Sequence, residues 1–142
     1  MVGPSRRFKL ADTAQQIVGG FLLAGPFVVT EEVWTLAVHM SWWQTLFTVL
    51  LVFGIGYGTL YKAEDRDPDR EVDVGGIPVR FVSLILVSYA SVVLLAIAFD
   101  APQTFVGGQA QNAVEMAGIT LKAVSVGAVF SVIGAATADS LF

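Results

Sequence analysis

Gly19-Gly20-Phe21-Leu22-Leu23-Ala24-Gly25-Pro26-Phe27-Val28-Val29-Thr30-Glu31-Glu32-Val33-Trp34-Thr35-Leu36-Ala37-Val38 decides how this chain is read. The stretch is apolar enough for a membrane helix, yet it carries a proline and two adjacent carboxylates. A charged side chain near the bilayer centre costs roughly 2.5 to 3.5 kcal/mol on insertion scales, so such residues face a bundle interior, a partner or water. Glu31 and Glu32 therefore mark the first candidate site.

The rest of the chain fits a membrane setting. Of its 142 residues 55% are hydrophobic and 14% charged, more apolar than a soluble domain of this size can hide. The mean hydropathy of +0.71 agrees. There is no cysteine, which removes disulfides, thiolate nucleophiles and cysteine zinc sites. Basic residues number eight, against twelve acidic ones, too few for a nucleic-acid surface.

Hydrophobic windows fall at 14–38, 42–61, 79–99 and 113–138, each long enough to cross a hydrocarbon core of roughly 30 Å at 1.5 Å per residue. The expected fold is an all-α membrane protein, a single domain over 1–142 with four transmembrane helices. The first span needs its whole length, because the uninterrupted run 17–29 is short for a crossing. The segment 5–10, with Arg6, Arg7 and Lys9 before an apolar run, is similar to the start of a secretory or twin-arginine signal. It lacks an Ala-x-Ala cleavage site, and three further spans follow.

Positive charge resists translocation, so lysine and arginine in short loops set orientation. Arg6, Arg7 and Lys9 flank the first span, and Lys62, Arg66, Arg70 and Arg80 flank the second connection. The connections 39–41 and 100–112 contain neither residue. Both termini are expected in the cytoplasm, in a multi-pass protein of the plasma membrane. The connection 62–78, with its mixed charges, Pro68, Gly75, Gly76 and Pro78, is then an acidic cytoplasmic loop that offers a surface to a protein partner.

Counted from the outer ends, Glu31 and Glu32 lie about 10 Å down the first span and Lys122 about 13 Å down the fourth. That level placement predicts an ion pair between Lys122 and one glutamate, leaving the second carboxylate to bind a cation or titrate. Gly25, Glu32 and His39 share a helix face with Thr35; Glu115 shares one with Lys122, and Asp100 ends the third span at a similar level. The inner halves of the bundle read as apolar or small-residue. Pro26 cannot donate to the carbonyl of Leu22, so it loosens the helix one turn before the glutamates; Thr30 could satisfy backbone groups there.

Ala123, Gly127, Ser131 and Ala135 repeat every four residues, a ridge that admits close approach of another helix, within the chain or in a homo-oligomer. Gly54, Gly56 and Gly58 read as packing positions rather than a phosphate loop, since no strand precedes them. No nucleophile elbow or His-Glu-x-x-His occurs, and the single His39 cannot complete a metal site. We expect no enzymatic activity, no cofactor and no metal.

At Gly19-Gly20-x-Leu22-x-x-Gly25-Pro26-x-x-x-Thr30-x-Glu32-x-Trp34 the chain resembles a family of uncharacterised integral membrane proteins, a domain of unknown function. The resemblance implies that Glu32 is the motif acid, with Pro26, Thr30 and Trp34 as companions, and it brings no established activity. A second similarity, to potassium channels whose first helix carries Arg-x-x-x-Phe-Ser-Asp, rests on Arg6 and Asp12. Leu10 and Ala11 stand at the phenylalanine and serine positions and no apolar pore layers are evident, so it is set aside as a chance match.

Two functions follow. One is cation or proton transport at Glu31, Glu32 and Lys122, with Asp100, Glu115 and His39 at the rim. The other is a structural or accessory subunit in which the acid and base pair fixes helix packing or assembly.

Overall fold

The computed structural model describes residues 10–28, 30–63, 73–74, 76–108 and 110–141. Helix α1, Leu10–Val28, has Pro26 in its last turn. The chain is extended at Thr30 (φ −108°, ψ 146°) and restarts as α2, Glu31–His39. Helix α3, Trp42–Gly58, opens on a reciprocal cap: Ser41 Oγ accepts from the Gln44 backbone N–H at 3.2 Å and Gln44 Oε1 accepts from the Ser41 N–H at 2.8 Å. A π-helical turn, Thr59–Ala63, extends it. A two-stranded antiparallel hairpin, β1 Asp73–Val74 and β2 Ile77–Pro78, leads into α4, Val79–Ala98. After a left-handed Asp100 (φ 53°), a conformation aspartate tolerates, come the short α5, Ala101–Val106, and the long α6, Ala113–Leu141.

Helix α6 is the axis of the bundle, and α1, α2, α3 and α4 all pack on it. It runs antiparallel to α1: Gln16 meets Asp139, Gly19 meets Gly134 and Gly20 meets Ser131. At Gly19 and Gly134 the two backbones touch, with no room for a Cβ on either. Helix α4 runs parallel to α1, with Thr13 against Ser83, Gly20 against Ser91 and Gly25 against Leu95. A Cβ on Gly20 would stand 2.9 Å from Ser131 Oγ and 3.0 Å from Ser91 Oγ. Small residues thus set the spacing of three helices, as they do where lipid supplies no hydrophobic drive for helix association.

Among the described residues three segments are long and apolar enough to cross a membrane: Trp42–Tyr61, Val79–Ala98 and Ala113–Asp139. Their outer faces carry large apolar side chains, among them Phe47 (63% exposed) and Leu86 (65% exposed), which suit lipid rather than water. Helix α1 is less apolar because Asp12, Gln15 and Gln16 occupy its first two turns. It nevertheless exposes Ile17, Val18, Leu22 and Leu23.

The continuous first span expected over 14–38 is not formed. Gly25 meets Leu95, and each lies three residues before its helix ends, so α1 alone reaches the level where α4 stops. Its 19 residues rise about 28 Å, which needs no extension through α2. Helices α2 and α5 instead sit together over this end of the bundle, joined by the stacked rings of Trp34 and Phe105 (centroids 6.3 Å apart). Val33, Trp34 and Ala37 form the buried face of α2, whereas Glu31, Glu32, Thr35, Leu36 and His39 are exposed. Most of the acidic connection, 64–72, lies outside the described residues, as do Arg6, Arg7 and Lys9.

Candidate functional site

The expected pair between Lys122 and a glutamate is not made. Lys122 Nζ donates to the Met40 carbonyl at 2.7 Å and lies 4.4 Å from the centre of the Trp42 ring. Side chains on a helix lean toward its N-terminus. In α6 that direction leads to the connection between α2 and α3, so Lys122 reaches outward. In α2 it carries Glu31 and Glu32 toward Thr30, away from the Met40 carbonyl at the other end of that helix. These carboxylates stand exposed in the first turn of α2, where the partial positive charge of the helix end stabilises each by about 0.3 to 1 kcal/mol without a partner cation.

The companions of Glu32 build the break. Trp34 is fully buried, and its indole N–H donates to the Val28 carbonyl at 2.9 Å. A carbonyl at a helix end has no intrahelical partner, so this bond supplies one across the gap. Pro26 and Thr30 frame the same interruption. His39 Nδ1 donates to the Thr35 carbonyl at 2.9 Å on the exposed face. Asp100 is the N-terminal boundary residue of α5. Glu115 closes the start of α6: its N–H donates to Asn112 Oδ1 at 2.8 Å and its Oε1 accepts from the Gln111 N–H at 3.3 Å.

Of the predicted residues, Lys122 and Glu115 share a cleft of about 540 Å³ with Val38, Trp42, Asn112 and Ile119. Glu31, Glu32 and Asp100 do not line it. Ala123, Gly127, Ser131 and Ala135 are all buried within the chain, Gly127 against Val92 and Ser131 against Gly20. The ridge therefore joins helices of one chain, and the case it made for a homo-oligomer falls away. Among the described residues no group of three histidine or carboxylate side chains is placed to hold a metal.

The opposite end, read from sequence as apolar, holds the strongest polar cluster. Arg80 is fully buried at the start of α4. Its Nη1 donates to both Asp139 oxygens at 2.8 Å, and its Nη2 lies 3.3 Å from Asp12 Oδ2. Gln16 Nε2 donates to Asp139 Oδ2 at 3.2 Å and accepts on Oε1 from Ser83 Oγ at 2.7 Å; Thr13 Oγ1 is 3.3 Å from Ser83 Oγ. Taking such charges out of water costs several kcal/mol per ion, which this dense bonding offsets.

The signal for this cluster was present but weak. Asp12 and Asp139 fall just outside the windows 14–38 and 113–138, where charges usually meet water, and Arg80 passed for a flanking cation. From the cluster a polar seam enters the bundle. Gln16 and Gly20 on α1, Ser83 and Ser91 on α4, and Ser131 on α6 face one another at helical spacing. Ser131 Oγ is buried and has no hydrogen-bond partner among the described residues. Farther along, Tyr89 OH donates to Ser125 Oγ at 3.4 Å.

No curated protein and no solved structure matches the chain. The model of the family described as "Putative integral membrane protein (DUF2391)" matches residues 4–140. With the match covering nearly the whole sequence, the chain belongs to this family of integral membrane proteins, a domain of unknown function.

Proposed function

We propose that the protein is a four-span membrane protein, with α1 as the fourth span and both termini cytoplasmic, that passes protons or a small cation along the seam between α1, α4 and α6. Four apolar-faced helices in alternating direction and the lysines and arginines confined to the flanks 1–9 and 62–80, with Lys122 the exception, support the topology. The observation carrying the transport reading is the buried Arg80–Asp139 pair continued by Gln16, Ser83, Ser91 and Ser131 into the apolar interior. Ionisable groups within membrane bundles mark ion and proton pathways by default. In this reading Glu31 and Glu32 work at the other end, where exposed carboxylates raise the local concentration of cations.

The test is flux in liposomes loaded across a proton or potassium gradient. The parent protein should dissipate one of them, and Ser131→Ala should slow that flux by about tenfold, the scale of one lost polar partner at 1.4 kcal/mol. A parent protein that dissipates neither gradient removes the transport reading.

The structural or accessory reading is favoured by one observation: Lys122 holds a backbone carbonyl and an aromatic ring that join α6 to the α2–α3 connection. It predicts no flux, with loss of stability or assembly when Lys122 is replaced.

A further inference from the structure

The cleft beside Lys122 has a composition that the transport seam does not use. It is open, about 540 Å³ in volume, and holds one cation and one carboxylate, Lys122 and Glu115. Lys122 has three N–H donors and gives one to Met40, while the Trp42 ring covers another direction. Among the described residues no carboxylate forms a salt bridge with it. Glu115 lies seven residues nearer the N-terminus of α6, about 10 Å along the axis before side-chain lean is counted. That end is where α1 and α4 stop, so the cation is the deeper of the two charges and the carboxylate the more superficial.

The remaining walls are apolar, from Val38, Trp42 and Val114, with the Asn112 amide near Glu115. Trp43, Leu46 and Leu121 stand exposed on the neighbouring faces of α3 and α6, where acyl chains would lie. A deep cation, a superficial carboxylate and an apolar flank match a leaflet lipid whose phosphate sits below a primary ammonium. We propose that this cleft binds a phospholipid with an ethanolamine headgroup, phosphate on Lys122 and ammonium on Glu115. A choline headgroup has no N–H to donate to Glu115, and a glycerol headgroup brings no positive charge.

The full chain is reconstituted in phosphatidylcholine vesicles containing increasing fractions of brominated phosphatidylethanolamine, brominated phosphatidylglycerol or brominated phosphatidylcholine, and quenching of tryptophan fluorescence is read. The parent should prefer the ethanolamine lipid over both others by about fivefold, the scale of one charge contact at a membrane surface. Glu115→Gln keeps an acceptor for the Gln111 N–H and should lose the preference over phosphatidylglycerol; Lys122→Arg should retain it. Equal quenching by the three lipids in the parent, a preference for phosphatidylglycerol, or an unchanged preference in Glu115→Gln would overturn the assignment. The parent measurement decides independently of how any variant folds, and of whether the seam carries ions.

Discussion

The two ends of the bundle handle charge in opposite ways. At the Arg80 end the guanidinium and Asp139 are fully buried and bonded to residues from three helices. At the Lys122 end the carboxylates of α2 are exposed, and the one half-buried cation leans on a carbonyl and a ring. Burial makes the difference. A charge already desolvated loses everything when its partner goes, whereas an exposed one falls back on water. The end that draws attention in the sequence is thus the less costly to alter.

That contrast can be broken by substitution. Arg80→Met should have the largest effect, about 3 to 5 kcal/mol of destabilisation in a denaturation titration in mixed micelles, because it takes the guanidinium away from the buried Asp139 carboxylate. Gly134→Val comes next: with the α1 and α6 backbones in contact at Gly19, the added branch forces the helices apart, at about 1 to 3 kcal/mol. The same titration reports it, together with faster proteolysis near α1. At the Lys122 end, Trp34→Phe keeps the ring but removes the bond to the Val28 carbonyl. The expected loss is about 1 to 2 kcal/mol. Smallest is Glu32→Gln alone, which should shift stability by less than about 1 kcal/mol; a larger loss would mean the glutamate is buried against something.

Much of the architecture was legible in the chain. Hydropathy located α3, α4 and α6, and the four-residue spacing from Ala123 to Ala135 identified a packing face of α6. What the motif around Gly25, Pro26, Thr30 and Trp34 builds is an interruption, completed by a side chain reaching six residues back to Val28. Hydropathy dips at Glu31 and Glu32, but a carboxylate pair buried in a continuous helix would give the same dip, so the break did not show in it. Matching residues by depth then failed for Lys122, because it counted Glu31 and Glu32 along a helix continuous through Val38, whereas they open the separate α2. Asp12, Arg80 and Asp139 stayed hidden for a different reason. They meet only through the tertiary fold, and each one alone resembles an ordinary charge at a helix end.

The central claim, that the ion pair at the Arg80 end carries the polar energetics of the bundle, is tested most directly by a double-mutant cycle on Arg80 and Asp139. Unfolding free energies are measured for Arg80→Met, Asp139→Leu and the double variant. Each single change takes the closest counter-ion from a fully buried charge and should be strongly destabilising, while the double variant, with both charges replaced by apolar groups, should recover stability and give a coupling energy of at least about 1 kcal/mol. Effects that add to within about 0.5 kcal/mol would contradict the account.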